Sequence, residues 1–306
     1  MSNKQVKLLN GNWLSGLLQE EILNEVKDSK EKNGRVPGLG VILVGDNPAS
    51  RAYVARKEKV AEEKCGFKTF DFFLPENSTQ EEVLRTVEGL NSDKNVDGIL
   101  LQLPLPVHLK ANFFIDKILP QKDADGLHPY NQGLLLRGDG KLRPCTPLGV
   151  MSLIDLAYSK YVSMQKDVKF SDIPKVDLSG ANAVVIGRSI LVGKPVSTLL
   201  LERNASVTQV HSKTKNIADI CSKADILVAA VGVPNMVKAN WVKKDAVVID
   251  VGINRTNEGK LIGDVDFSEV SKKCFAIAPV PGGAGPMTVA MLMKNTLESY
   301  KKSFKI

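Results

Sequence analysis

Short, unbroken apolar runs alternate with stretches of helical length from residue 39 to about residue 119, and the same rhythm returns after residue 182. Residues 39–44, 67–73 and 97–103 read as strands, with helices at 49–64, 78–91 and 111–119 between and after them. A strand without polar alternation is covered on both faces, and a helix joining two such strands makes a parallel crossover. The pattern therefore predicts an α/β fold built on parallel sheet. The second alternation predicts strands at 182–186, 206–210, 225–230, 246–251 and 274–278, with helices at 194–203 and 215–223.

Two further helices frame this pattern. Residues 13–32 place Leu14, Leu17, Leu18, Ile22 and Val26 on one stripe, and 287–302 close the chain with a helix expected to return to the first domain. Residues 123–147, rich in Gly and Pro, are expected to form a long irregular loop of the kind that carries function. Thr146-Pro147 marks a helix start, and 159–178 read as a polar linker or surface excursion. With 306 residues there is room for two domains. The first is expected at 1–147, with the returning helix 287–306, and the second at 148–286.

Composition narrows the function classes. No apolar run approaches the roughly 18 residues of a membrane span, and the opening residues carry no signal-peptide pattern. Cys65, Cys145, Cys221 and Cys274 are dispersed, without C-x-x-C spacing or a neighbouring histidine. Free thiols in a cytoplasmic setting and no metal site are the expectation. The net charge of +7 is scattered and accompanies no nucleic-acid-binding motif, so it reads as solvated surface or steering of a small anion.

Tyr53 and Lys57 follow the first strand and the turn Gly45-Asp46-Asn47-Pro48. Four residues apart on a helix, phenol and amine share one face near the end of the strand. An aromatic ring beside an amine there can stack a flat ligand and move a proton.

In the second half, Ala183 to Gly193 reads as strand, tight turn and helix start, a layout that turns backbone N–H groups toward a phosphate. Gly187 opens the turn, Ser189 stands where a dinucleotide fingerprint has its second glycine, and Gly193 falls one position late. The next strand ends in His211-Ser212-Lys213 without an acidic residue. A carboxylate there would bind the ribose hydroxyls of NAD and repel the added phosphate of NADP. Ser212 and Lys213, with Arg188 nearby, favour NADP. Val231-Gly232-Val233 and Gly252-Ile253-Asn254 bring further strand ends to the same crevice, with Gly232 and Ile253 as cofactor contacts.

Four ordered segments carry a resemblance that spans nearly the whole chain. They are Gly45 to Lys57; Asp97-Gly98-Ile99-Leu100-Leu101-Gln102-Leu103-Pro104-Leu105-Pro106; Lys122-Asp123-Ala124-Asp125-Gly126; and Pro279-Val280-Pro281-Gly282-Gly283-Ala284-Gly285-Pro286-Met287-Thr288. Arg143-Pro144-Cys145-Thr146-Pro147 and Asp250 to Asn254 fit as well. Together they resemble the bifunctional methylenetetrahydrofolate dehydrogenase/methenyltetrahydrofolate cyclohydrolase family. Ala284, where the family often has Val, and the apolar Ile190-Leu191 depart from it without removing a chemical group.

The resemblance implies an amino-terminal parallel α/β catalytic domain, a carboxy-terminal Rossmann-like NADP-binding domain and an active site in the cleft between them. It implies NADP-dependent oxidation of 5,10-methylenetetrahydrofolate, then hydrolysis of the methenyl product to 10-formyltetrahydrofolate. Lys57 is then the catalytic base, Gln102 its neutral hydrogen-bond partner, Tyr53 a stacking surface, and Ser50 a neighbour of the amine. Asp125 suits the pterin edge, Pro281, Gly282 and Gly283 allow close backbone approach to the planar substrate, and Thr288 would bond the nicotinamide amide. His128 and His211 are expected to be structural. A homodimer is implied, with the second domain's edge as the contact. A shikimate-dehydrogenase-like enzyme is the nearest rival architecture, disfavoured by the Gln102 to Pro106 and Pro281 to Thr288 segments.

Overall fold

In the computed structural model, which describes residues 6–163, 167–256 and 258–304, the elements follow the alternation in order. The first half holds β1 (Lys7–Leu8), α1 (Gly11–Asn33), β2 (Gly38–Val44), α2 (Pro48–Lys59), β3 (Lys68–Leu74), α3 (Gln80–Ser92), β4 (Gly98–Leu101), α4 (Ala111–Ile115) and α5 (Pro129–Leu136). There follow α6 (Cys145–Tyr158), β5 (Asn182–Ile186), α7 (Gly193–Glu202), β6 (Ser206–Val210), α8 (Ile217–Cys221), β7 (Ile226–Ala229) and β8 (Val247–Asp250). The hairpin β9 (Asn254–Arg255) and β10 (Leu261–Ile262), then α9 (Phe267–Val270), β11 (Ala276–Ala278) and α10 (Ala284–Ser303), complete the chain.

Two compact units result. One comprises Leu18–Cys145 with the chain from Val289 onward; the other comprises the chain up to Leu17 with Thr146–Thr288. The first unit carries a three-stranded sheet in the order β3-β2-β4, and both pairings are parallel. Every residue of β2 is buried, which explains its unbroken apolar sequence. Burial of each such large aliphatic side chain contributes about 1.5–3 kcal/mol. Val83, Val87 and Leu90 of α3 pack with Ile42, Val44, Ile99 and Leu101. Thr79 caps α3 through a reciprocal bond pair with Glu82.

Asp97 ties the returning helix to this sheet. Its carboxylate accepts from the two terminal guanidinium nitrogens of Arg35 (2.6 and 2.8 Å), from the Gly38 N–H (2.9 Å) and from Ser303 Oγ (3.1 Å). The Arg35 guanidinium also lies 4.8 Å from the Tyr300 ring centroid. Asn295 donates to the carbonyls of Ala124 and Arg143, both at 2.8 Å.

The second unit carries a six-stranded, all-parallel sheet in the order β1-β11-β8-β7-β5-β6. Ile186 pairs with Val210 and Ala229, and Ala229 pairs with Asp250. Four strands therefore end level, and the loops after them, beginning at Gly187, His211, Ala230 and Val251, emerge along one border.

Several expectations change. The supposed irregular loop at 123–147 contains α5, entered through Pro129 and capped by His128, because turn residues open a helix as readily as a loop. Residues 7–8, expected in the first domain, extend the second unit's sheet as β1 beside β11, a two-residue strand too short for periodicity to reveal. The hairpin β9–β10 and helix α9 escaped the pattern for the same reason. The closing helix begins at Ala284 rather than 287. The 159–178 excursion holds short 3-10 turns at Lys160–Ser163 and Phe170–Asp172, and its residues 164–166 lie outside the described residues. Residues 305–306, the end of the segment expected to return to the first domain, also lie outside them. No described helix is long and apolar enough to cross a membrane.

Candidate active site

Lys57 reaches the sheet because α2 turns it inward. Gly45, at φ 88°, bends the chain after β2, and Asn47 caps the helix by accepting from the N–H groups of Ala49 and Ser50. The buried residues of α2 are Ser50, Val54 and Lys57, one face at spacings of four and three. An amine thus occupies a core position, with only 5% of its residue surface exposed. Its Nζ donates to Gln102 Oε1 at 3.0 Å and lies 4.9 Å from the Tyr53 ring centroid.

Gln102 follows the last residue of β4, and its side chain is fixed in orientation. The Nε2 amide donates to the Leu103 carbonyl at 2.6 Å, which leaves Oε1 facing the amine. A neutral acceptor holds the lysine without the charge that would lock it protonated. Burial pushes the Lys57 ammonium below its ordinary value, opposed by Asp125 and by the Cys145 sulfur. Burial likewise raises the Tyr53 phenol, opposed by Arg56.

The segment 122–126 divides its acids between two tasks. Asp123 is buried and accepts from Leu127 N (3.0 Å), His128 N (2.8 Å) and Asn131 Nδ2 (2.8 Å), which shapes the turn into α5. Asp125 is half-buried, and its charge is felt by both Lys57 and Cys145. Cys145 completes this group, a residue expected only as a dispersed thiol within a matching segment and given no part in the site. Its Sγ donates to the Ala124 carbonyl at 3.3 Å, and burial drives its thiol well above the ordinary range. Its place directly before Thr146-Pro147 was the available signal. Lys57, Gln102, Tyr53, Ser50 and Asp125 thus all belong to the first unit.

The remaining candidates belong to the second unit, including Pro281, Gly282 and Gly283, which the sequence reading grouped with the folate contacts. Gly187, at φ 121°, begins the loop after β5, and the space a side chain there would need is filled by the Ala230 carbonyl. Ser189 turns its hydroxyl back on its own loop, accepting from Val192 N (3.1 Å) and Gly193 N (3.4 Å), and so shapes the turn. Arg188 and Ser212 are exposed, as is Ile253. Arg188 makes no ion pair among the described residues. The end of β6 carries His211, Ser212 and Lys213, and His211 Nδ1 accepts from the Lys213 N–H in a local turn. Free positive charge, no carboxylate and a glycine turn before a ten-residue helix suit a dinucleotide with an added phosphate.

Thr288 lies one turn inside α10 rather than at its start. Its hydroxyl donates to the Ala284 carbonyl (3.1 Å) and shares a hydrogen bond with Thr146 Oγ1 (3.0 Å). Among the described residues no cluster of His, Cys, Asp and Glu is arranged to hold a metal ion.

Two family models match the chain: "Tetrahydrofolate dehydrogenase/cyclohydrolase, catalytic domain" over residues 9–125 and "Tetrahydrofolate dehydrogenase/cyclohydrolase, NAD(P)-binding domain" over residues 144–304. Bifunctional protein FolD of Acetivibrio thermocellus is 48% identical over 302 residues, covering 99% of both chains. The same-named protein of Campylobacter hominis is 47% identical over 300 residues, 98% of this chain and 99% of its own. Among solved structures, the bifunctional FolD methylenetetrahydrofolate dehydrogenase/cyclohydrolase of Campylobacter jejuni superposes with a TM-score of 0.89 at 44% identity, covering 97% of this chain and 99% of that one. The Trypanosoma brucei methylenetetrahydrofolate dehydrogenase-cyclohydrolase, solved with NADP cofactor and an inhibitor, gives 0.89 at 39% identity, with 99% of each chain covered.

Proposed function

The chain belongs to the tetrahydrofolate dehydrogenase/cyclohydrolase family, and from that premise we infer a two-step enzyme whose first unit does the proton chemistry and whose second binds the dinucleotide. It oxidises 5,10-methylenetetrahydrofolate to the 5,10-methenyl cation and then hydrolyses that cation to 10-formyltetrahydrofolate. NADP, when bound, supplies the hydride acceptor for the first step.

The observation that carries the residue roles is the buried Lys57 amine held by a neutral amide oxygen. In the first step Tyr53 and Asp125 hold the pterin, the ring by its face and the edge by a carboxylate that accepts its N–H donors. Removing a hydride needs alignment rather than a base, so these residues act by positioning. In the second step water adds to the cationic one-carbon bridge and must lose a proton. Lys57, neutral in part through burial, takes that proton and returns it to the ring nitrogen as the bridge opens. The cation of the bound intermediate further disfavours the ammonium and keeps the base available. Gln102 aims the amine, and Ser50 shares its buried helix face.

In the second unit, Gly187, Ser189, Gly232 and Ile253 line the strand ends that receive the dinucleotide, with Thr288 as the nicotinamide-amide contact. Arg188 and Ser212, with Lys213, meet the 2′-phosphate. Pro281, Gly282 and Gly283 give close backbone approach to the planar substrate. The proposed folate-binding domain takes in the first unit and the proposed dinucleotide-binding domain the second, except that the chain up to Leu17 joins the second.

The enzyme works as a homodimer in the cytoplasm, without nucleic acid or membrane. Four buried free cysteines suit a reducing compartment. A second copy is expected to meet the edge of the second unit's sheet, where β6 is an outer strand. A spectrophotometric assay of methylenetetrahydrofolate oxidation with NADP and with NAD, followed by decay of the methenyl absorbance, tests the whole reading. Absence of either step, or higher kcat/KM with NAD, contradicts it.

A further inference from the structure

The second unit contains a pair of buried carboxylates that the reaction scheme does not use. Asp264, with no exposed surface, follows the β9–β10 hairpin and stands between two of the strand-end loops. Its Oδ2 accepts from the N–H groups of Val231 (2.7 Å) and Gly232 (3.0 Å), in the loop after β7. Its Oδ1 accepts from Asn254 Nδ2 (3.0 Å), where the loop after β8 enters β9. Asp264 is itself held in place: its N–H donates to Asp250 Oδ1 (3.0 Å), and its carbonyl accepts from Val237 N (2.9 Å). Asp250 also accepts from Gly252 N (3.0 Å) and Val265 N (2.9 Å). Glycine is required at 252 and 263, since the Asp264 and Asp250 carboxylates fill the space a Cβ would take.

We propose that Asp264 is a positioning residue for the dehydrogenase reaction, its carboxylate holding the loops that carry Gly232 and Ile253 in the shape that receives the dinucleotide. A carboxylate is costly to bury and is retained where several donors converge on it. Here the donors come from two separate loops, so one side chain sets the spacing between them. Two backbone N–H groups turned inward to Asp264 also fix which way the peptides at 231 and 232 face. A role confined to folding would leave no reason for the two activities to respond differently. A positioning role predicts that they separate, because Lys57, Gln102 and Asp125 belong to the other unit.

This inference rests on the dinucleotide reading of the second unit, and the experiment distinguishes the two. Asn254→Asp keeps the side chain's shape and places a second carboxylate where Asp264 Oδ1 meets a donor, at a half-buried position. In the full-length enzyme, NADP affinity by direct titration and KM for NADP should each weaken about tenfold, as expected for like charges brought together. Cyclohydrolase kcat should stay within about twofold of the parent. Adding Asp264→Asn to Asn254→Asp restores one donor facing one acceptor and should recover most of the lost NADP affinity. An unchanged NADP affinity in Asn254→Asp, no recovery in the double variant, or equal loss of both activities would overturn the proposal. A parent enzyme that hydrolyses the methenyl substrate but binds no NADP would instead remove the dinucleotide reading, and this proposal with it.

Discussion

Each unit buries ionisable side chains near the carboxyl ends of its parallel strands, and the two units treat them in opposite ways. In the first, the Lys57 amine carries up to three protons and makes one hydrogen bond among the described residues, to the neutral Gln102 oxygen. In the second, Asp250 and Asp264 are each met by three N–H donors. A buried carboxylate surrounded by donors holds backbone in place. A buried amine with a single neutral partner can change state at modest cost, which is the property of a base. In the proposed mechanism, the contrast separates a side chain that reacts from side chains that shape.

Lys57→Gln breaks the comparison most severely. Similar length and a hydrogen-bonding amide remain, but no proton can be taken up. Cyclohydrolase activity should fall by about two orders of magnitude or more, the scale of a lost general base. Dehydrogenase activity should fall less, through positioning alone. Equal loss of both would make the lysine a binding residue.

Gln102→Glu converts the under-satisfied site into a saturated one. A carboxylate beside the amine holds it protonated, so cyclohydrolase activity at neutral pH should drop by about tenfold or more and recover partly as pH rises. Activity that stays flat with pH would show that the neutrality of residue 102 does not matter. On the other side of the comparison, Ser212→Asp should lower kcat/KM for NADP by about tenfold while leaving NAD use much less affected. Competing steady-state assays with the two cofactors measure that ratio.

The smallest effect expected is a pH response in the second unit. Burial, with Asp264 adding to it, pushes Asp250 up to about 6 against the pull of its three N–H donors. Because the folded value lies above the ordinary one, this group's contribution to stability is fully present below the unfolded value near 3.8 and is lost as pH rises through about 6. Between pH 7 and 5.5, its protonation should therefore add a little stability while turning one acceptor toward donation and loosening the loops. NADP titrations over that range should show a fall in affinity of about twofold, absent in Asp250→Asn. Affinity that tracks pH equally in both proteins would assign the effect to another group.

How far the sequence reached follows from the same contrast. The apolar runs of β2, β4, β5, β7 and β8 were legible because burial on both faces leaves a continuous signature. So was the Tyr53–Lys57 pair, since helix geometry alone brings i and i+4 together, and Gln102, since a polar residue ending an apolar strand must find a partner. The two-residue strands β1, β9 and β10 were not legible, as no period can be read over two residues. Cys145 and Asp264 were missed for a different reason. Their partners, Ala124 and Asn295 for one and Val231, Gly232 and Asn254 for the other, are distant in sequence or act through backbone groups that every residue carries. Thr288 was placed correctly on its helix but at the wrong turn, because the glycines and proline before it looked like loop.

The central claim, that Lys57 is held partly neutral by burial and a neutral partner, is tested most directly by titrating that one amine. NMR of the enzyme labelled at its lysine side chains, with Lys57→Gln used to assign the resonance, gives its ionisation without reference to turnover. The account predicts a midpoint below the ordinary lysine value, moved upward in Gln102→Glu. A midpoint at the ordinary value in the parent, unmoved by Gln102→Glu, would contradict it.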